Sequence, residues 1–420
     1  MKVVIVGAGI GGLITALRLH HKGIGCEIYE QSERIRELGV GINTLPNAVR
    51  ELAGLGLLDR LESAGVPTRE LIYAHRRGQE IMRKPCGRHA GFDYPQVSVH
   101  RGRLQGVLSE AVRERLGPDA LRTGHRLVGF EQDAEHVRAH FTGRDDVPRA
   151  SVDGDVLVAA DGIHSTVRSI LFPDEGPPRW NGVMMWRGAT DWPEFGTGAS
   201  QVIAGGTEAK LVVYPIAAGE RPGTRLTNWA ICLKTGEPGD PPPQHQDWSR
   251  RADPSGLDEQ VAPFRTSLVD LAALVGATED CYELPMCDRD PLPYWTRGRV
   301  TLLGDAAHPM YPMGSNGAGQ AIMDAASLSG HLAARPADPA AALRAYQDER
   351  LPITSEVVLR NRTGGPENVI DEVERRAPDG FTRLADVIDP ATLEGIVSGY
   401  AQASGSSREQ VNRRADGPSG

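Results

Sequence analysis

The chain has 420 residues, more than one hydrophobic core of ordinary size, so two domains are expected. Its 46 Lys and Arg against 55 Asp and Glu give a net charge of -9, and the basic residues are dispersed, which excludes the electrostatic footprint of a nucleic-acid binder. No apolar run is long enough to cross a bilayer, and the five cysteines are odd in number and lack C-x-x-C or zinc-like spacing; a cytoplasmic protein with free thiols, no membrane contact and no metal site is expected.

The first apolar run, Val3-Val4-Ile5-Val6, reads as a buried strand and feeds directly into Gly7-Ala8-Gly9-Ile10-Gly11-Gly12. Ile10, Leu13, Ile14 and Leu17 then recur at helical spacing, and Cys26 to Glu30 reads as the next strand, which makes a βαβ unit. In such a unit Gly7 permits the tight turn, Gly9 lets a pyrophosphate approach the backbone, and Gly12 lets the helix pack on the strand. The helix N-terminus faces the phosphates with unpaired N–H groups. Glu30 lies eighteen residues beyond Gly12, close to the roughly 20-residue interval at which a carboxylate accepts ribose hydroxyls. A dinucleotide site follows, and these residues leave open which dinucleotide.

Strand and helix patterns alternate to about residue 70, as in a doubly wound parallel sheet. Leu71 to Ala74 and Glu80 to Met82 flank the turn Arg76 to Gln79 and predict a hairpin, and a helical pattern returns between Arg103 and Arg115. Val156 to Ala160 is a second buried strand, ending in Asp161-Gly162. Residues 175 to 287 are β-rich, with a Pro-rich interruption from Gly236 to Pro243, and predict an antiparallel sheet. Arg299 to Leu303 is a further strand, running into Gly304-Asp305. The expected division is a discontinuous nucleotide-binding domain (1–69, 100–174, 288–362), a β-sheet substrate domain (70–99, 175–287), and a C-terminal extension (363–420) with a disordered end.

Two more carboxylate turns sit where α/β sheets bind ligands, at the C-terminal ends of strands. Asp161-Gly162-Ile163-His164-Ser165-Thr166-Val167-Arg168 is one; Gly304-Asp305-Ala306-Ala307-His308 is the other, followed by the loop Gly314-Ser315-Asn316-Gly317-Ala318-Gly319. Taken singly, either Asp could be only a helix cap. His308 reads better as a packing or hydrogen-bonding group than as a base, and His164 is treated alike. Trp186 and Tyr214 fit a core or a substrate site equally, whereas Arg187 could take a substrate carboxylate through two parallel hydrogen bonds.

In this order the three motifs resemble those of the single-component flavoprotein aromatic hydroxylases, the FAD-dependent monooxygenases typified by para-hydroxybenzoate hydroxylase. His100-Arg101 and Pro312 add to the match, which runs from Met1 to about Arg350. Within the family the chain looks most like members that act on phenazine carboxylic acids, through Gly39-Val40-Gly41-Ile42-Asn43, Tyr94-Pro95-Gln96, Met185-Trp186-Arg187-Gly188 and Met286 to Trp295. The resemblance implies an α/β, Rossmann-type FAD-binding domain with an inserted β-rich substrate domain. It implies that Gly7, Gly9, Ile10, Gly11, Gly12 and Glu30 hold the adenosine half of FAD, and that Arg101 contacts its phosphates. It puts Asp161 and Arg168 near the FAD and NAD(P)H regions, and Asp305 on the ribityl or pyrophosphate part. Gly314, Ser315, Asn316 and Gly317 line the isoalloxazine, with Pro312 at its reactive edge. Many members have asparagine where this chain has Gly319.

The implied activity is hydroxylation of an aromatic or heteroaromatic carboxylic acid, phenazine- or salicylate-like, through a flavin C4a-hydroperoxide. NADPH or NADH is a transient co-substrate, O2 is consumed, and decarboxylation accompanies the reaction if oxygen enters at the carbon bearing the carboxylate. The enzyme would be a monomer or homodimer. Alternatives are oxidation of a non-acid polycycle or alkene, a flavin-dependent reductase without oxygen insertion, and a non-catalytic nucleotide-binding protein.

Overall fold

The structure is a computed structural model and describes residues 1–35, 40–244 and 250–413. Gly39 and the expected disordered end beyond residue 413 lie outside the described residues.

Lys2–Val6 is an inner strand of a six-stranded sheet ordered Thr296–Arg297, Val300–Leu302, Val156–Ala159, Lys2–Val6, Gly25–Tyr29, Leu121–Arg122. All neighbours pair in parallel except the edge strand Thr296–Arg297. Val3, Val4, Ile5, Val156, Leu157 and Val158 are fully buried, which is why these strands read as continuous apolar runs and not as alternating ones. Successive parallel strands leave to opposite sides of Lys2–Val6. Its C-terminal end is thus a topological switch point, where such sheets open a crevice for ligands.

The second large sheet has eight strands: Arg251–Ala252, Cys281–Asp288, Arg179–Pro193, Thr224–Lys234, Ala209–Ala218, Ser200–Ala204, Glu70–Ala74 and Glu80–Pro85. The expected hairpin is present as Glu70–Ala74 and Glu80–Pro85. The sheet is not wholly antiparallel, however, because Ser200–Ala204 joins Glu70–Ala74 in parallel. A long crossover separates those two strands in sequence, and no tight turn forces them to reverse. Alternation along the strands gives the sheet two working faces. Val183, Met185, Cys232, Leu284 and Met286 pack with Tyr311 and Met313, while Leu211, Val213, Trp229 and Ile231 pack under Leu257, Phe264 and Leu274.

Val97–His100 departs from the expected division. It pairs antiparallel with Gly41–Thr44 and Gly65–Pro67, strands from the first 69 residues. The extension after residue 362 is also more than a tail. It forms the helices Asn368–Arg376, Pro390–Ala403 and Arg408–Asn412, and buries Val369, Ile370, Val373 and Leu393 against Tyr73, Ile81 and Ile203 of the eight-stranded sheet. Among the described residues no helix is long and apolar enough to cross a membrane, and no group of three or more His, Cys, Asp or Glu could hold a metal ion. The five cysteines are free, and burial pushes the Cys26 thiol up to about 12.

Candidate active site

The first turn is built from backbone. Gly7 has φ +98°, and a Cβ there would lie 2.3 Å from the Ala160 carbonyl oxygen; one on Gly12 would lie 2.0 Å from that of Gly7. Neither position has room for a side chain. Gly9, the N-cap of the helix Ile10–His21, differs: a Cβ there meets nothing within 4 Å, so the turn faces open space. Glu30 is fixed across the turn by accepting N–H bonds from Ala8 and Ser32, both at 2.8 Å. Gly7, Gly9, Glu30, Arg101 and Asp161 line one cavity of about 360 Å³. Ile10 is buried, and Gly11 and Gly12 serve packing, Gly11 against Leu303.

Asp161 plays two parts. One carboxylate oxygen accepts the Thr166 N–H at 2.8 Å, while Ser165 is the true N-cap of Thr166–Leu171, accepting from the Arg168 N–H. Burial raises the Asp161 carboxyl above its ordinary value against the pull of these donors. Arg168 calls for a correction. It is 1% exposed, and its guanidinium is spent on Glu175 and on the carbonyls of Ala306, Ala307 and Asp290. It braces the turn that carries Asp305 and does not line the cavity, because a guanidinium so engaged has no face left for a phosphate.

Gly304 turns at φ +60°, presenting Asp305 with its own surface exposed in a crowded cleft. That crowding raises the Asp305 carboxyl, and the charges of His308 and Arg101 oppose the rise. His308 is a structural group: its Nε2 lies 2.5 Å from Asp324, which also accepts from Arg350 Nε at 2.8 Å and the Gly304 N–H at 3.2 Å. Arg350 continues to Gln320, and Gln320 donates to Asn316 and to the Ser404 carbonyl.

The loop after Pro312 is held from the far end of the chain. Pro312 itself is exposed, Gly314 has φ +67°, and Ser315 adopts φ +56°, a conformation rare for a side-chain-bearing residue. Asn43 donates to Ser315 Oγ at 3.3 Å. Asn316 is 1% exposed and turns inward, donating to the Gly314 carbonyl and Tyr400 Oη, so only its backbone is left for a cofactor. Tyr400 Oη, with one proton to give, lies 2.6 Å from Asn361 Oδ1 and 3.2 Å from the Met313 carbonyl; Asn361 donates to the Tyr311 carbonyl; Glu367 accepts the Gly314 N–H at 3.1 Å. Sequence reasoning missed Asn361, Glu367 and Tyr400, since a pattern break at Gly364-Gly365-Pro366 was the only signal near them. Around Gly317 a Cβ meets nothing within 4 Å, and at Gly319 the nearest atom is Ala48 Cβ at 3.8 Å, an ordinary van der Waals contact.

On the sheet side, Arg187 Nη2 donates to the Gly41 carbonyl at 2.8 Å, and the Gly41 N–H donates to Asn228 at 2.8 Å. Tyr214 is 6% exposed and burial pushes its phenol up to about 12; burial pulls the Arg187 guanidinium down. Trp186 packs toward the opposite face of the sheet and belongs to the core.

The open turn at Gly9, the fixed Glu30 and Asp161 on one cavity with Arg101, and Asp305 close enough to Arg101 to feel its charge, fit a flavin dinucleotide. The FAD binding domain family matches residues 1–361. The chain belongs to the FAD-dependent aromatic hydroxylases. It is 42% identical over 408 residues to the phenazine 1,6-dicarboxylic acid hydroxylase PhzS of Lysobacter antibioticus, covering 95% of this chain and 96% of that one. A 3-amino-4-hydroxybenzoate 2-monooxygenase of Streptomyces cremeus is 32% identical, with 92% and 94% covered. The solved structure of Klebsiella pneumoniae HpxO with FAD and uric acid aligns with a TM-score of 0.74 at 25% identity, covering 98% of this chain and 96% of that one. As a hydroxylase of this family, the chain is an FAD-dependent monooxygenase built on the α/β fold with a second, β-rich sheet.

Proposed function

We propose that this monooxygenase hydroxylates a heteroaromatic carboxylic acid of the phenazine type, with NAD(P)H as reductant. The observation that carries the reading is near-full-length identity of 42% to a hydroxylase of phenazine 1,6-dicarboxylic acid. When bound, the flavin supplies the activation of O2, chemistry that belongs to the cofactor.

The chain's own residues bind, orient and exclude water. Gly7, Gly9, Gly12 and Glu30 hold the adenosine half, Arg101 the phosphates, and Asp305 the ribityl or pyrophosphate part. Asp161 stands where the adenosine site meets the approach of the nicotinamide co-substrate. The backbone of Gly314 to Gly317 offers N–H groups to the ring system, and Pro312 flanks the reacting edge. Arg187 orients the substrate carboxylate from the sheet. The apolar face around Met185, Met286 and Met313 keeps the reacting space dry, which limits loss of reducing equivalents as hydrogen peroxide. NAD(P)H would visit along the same domain, since only one glycine fingerprint is present.

The test is NAD(P)H consumption with phenazine-1-carboxylate, phenazine-1,6-dicarboxylate and salicylate, each beside its neutral amide. The acids are expected to stimulate consumption about tenfold more than the amides, the worth of one charge-assisted hydrogen bond. Equal stimulation by the amides would reject the carboxylate requirement.

A further inference from the structure

A cavity of about 420 Å³ lies between the eight-stranded sheet and the C-terminal helices, apart from the cavity at the glycine turn. Its floor is apolar: Val183, Cys232 and Met286 come from the sheet, and Tyr311 and Met313 from either side of Pro312. The walls carry four cations, Arg179, Lys210, Lys234 and Arg362, against two acids, Glu208 and Asp371. Three of the cations are partly exposed and already paired: Arg179 with Asp290, Lys234 with Glu208 and Glu237, and Arg362 with Asp288 and Asp290. Lys210 is different. It is 4% exposed and rests on a single carboxylate, Glu367, although an ammonium has three protons to donate. The second oxygen of Glu367 accepts the Gly314 N–H, so this ion pair sits against the loop that carries Pro312.

We propose that the cavity receives the end of a planar aromatic acid remote from the reacting ring, and that Lys210 binds a second carboxylate there. Lys210 is then a specificity-determining residue that selects a dicarboxylate over a monocarboxylate. The apolar floor suits a flat ring system, and Lys210, which has protons to donate beyond its one bond to Glu367, suits its anionic end. Glu367 competes with the incoming carboxylate for the same ammonium, since like charges sharing one site repel. This inference rests on the function proposed above.

The test is equilibrium binding, read from the flavin absorption spectrum of the FAD-loaded protein during titration with phenazine-1-carboxylate and phenazine-1,6-dicarboxylate. The unaltered enzyme is expected to bind the diacid about tenfold or more tightly, as one charge-assisted contact implies. Lys210→Met should abolish that preference while leaving the monoacid within about twofold, a change too small for a lost charge contact. Because Lys210→Met strands Glu367 in the interior, the double variant Lys210→Met/Glu367→Gln is measured beside it and should show the same loss. Glu367→Gln alone keeps a carbonyl acceptor for the Gly314 N–H, removes the competing charge, and should tighten the diacid. Equal affinity for the two acids in the unaltered enzyme, or a diacid preference that survives in the double variant, overturns the assignment. A preference lost with Lys210 but unaccompanied by oxygen insertion would support the subsite and count against the proposed reaction.

Discussion

The two loops proposed to hold the cofactor are made in opposite ways. At the glycine turn, residues 7–12 are contiguous, their backbone does the shaping, and two distant side chains complete the work, Glu30 accepting the Ala8 N–H and Gln105 donating to the Ala8 carbonyl. At the loop from Pro312 to Gly317, side chains do the shaping and they come from far along the chain: Asn361, Glu367 and Tyr400. A site made of backbone has little tolerance for an added atom, whereas a site made of side-chain hydrogen bonds loses about 1 kcal/mol or somewhat more per bond removed. The first region should therefore fail abruptly and the second by degrees.

Gly12→Ala is the largest break expected. Its Cβ would lie 2.0 Å from the Gly7 carbonyl oxygen, and neither backbone can give way without opening the turn. The purified variant should lack the flavin absorption band; a normally yellow protein would show that the turn is softer than its geometry.

Next comes Asp324→Asn, under the second region. Burial works to raise the Asp324 carboxyl, but His308 and Arg350 outweigh it and hold it below the ordinary 3.8. A lowered carboxyl contributes stability that is complete above its unfolded value and lost as pH falls through the lower folded value. Removing the charge strands Arg350, at a cost of about 3 kcal/mol or more for a broken buried pair. Chemical denaturation at several pH values should show that gap constant above 3.8 and closing below it. A gap that widens in acid would reverse the assignment.

Glu30→Gln is smaller. It keeps an acceptor for one of the two N–H groups and loses the charge, so FAD affinity should fall about 10- to 100-fold, in line with one or two charge-assisted bonds. Equilibrium dialysis against FAD measures it.

The same contrast explains what could be read from the sequence. The glycine fingerprint, Glu30 and the two strand-end aspartates were legible because each motif is local, and because buried parallel strands announce themselves as unbroken apolar runs. Glu367, Tyr400 and Lys210 were not. Glu367 meets Gly314 across 53 residues, Tyr400 meets Met313 across 87, and Lys210 meets Glu367 across 157. Nothing in their neighbours' spacing marks such contacts. Arg168 shows the converse error. The resemblance puts it near the FAD and NAD(P)H regions, and only tertiary packing reveals that its donors are taken by Glu175 and three carbonyls. The parallel join between Ser200–Ala204 and Glu70–Ala74 was hidden for the same reason, since strand direction across a long crossover leaves no local trace.

Tyr400→Phe is expected to change FAD affinity least, although losing the buried hydroxyl that serves Met313, Asn361 and Asn316 costs about 1 kcal/mol per bond, and it separates the two regions most directly. Bound FAD and product formed per NAD(P)H should be measured in Tyr400→Phe and Glu30→Gln side by side. Tyr400→Phe should hold FAD as the unaltered enzyme does, yet release more hydrogen peroxide per NAD(P)H; Glu30→Gln should lose FAD, yet couple normally once saturated with it. A Tyr400→Phe enzyme that sheds its flavin and couples normally when refilled would contradict this division of labour.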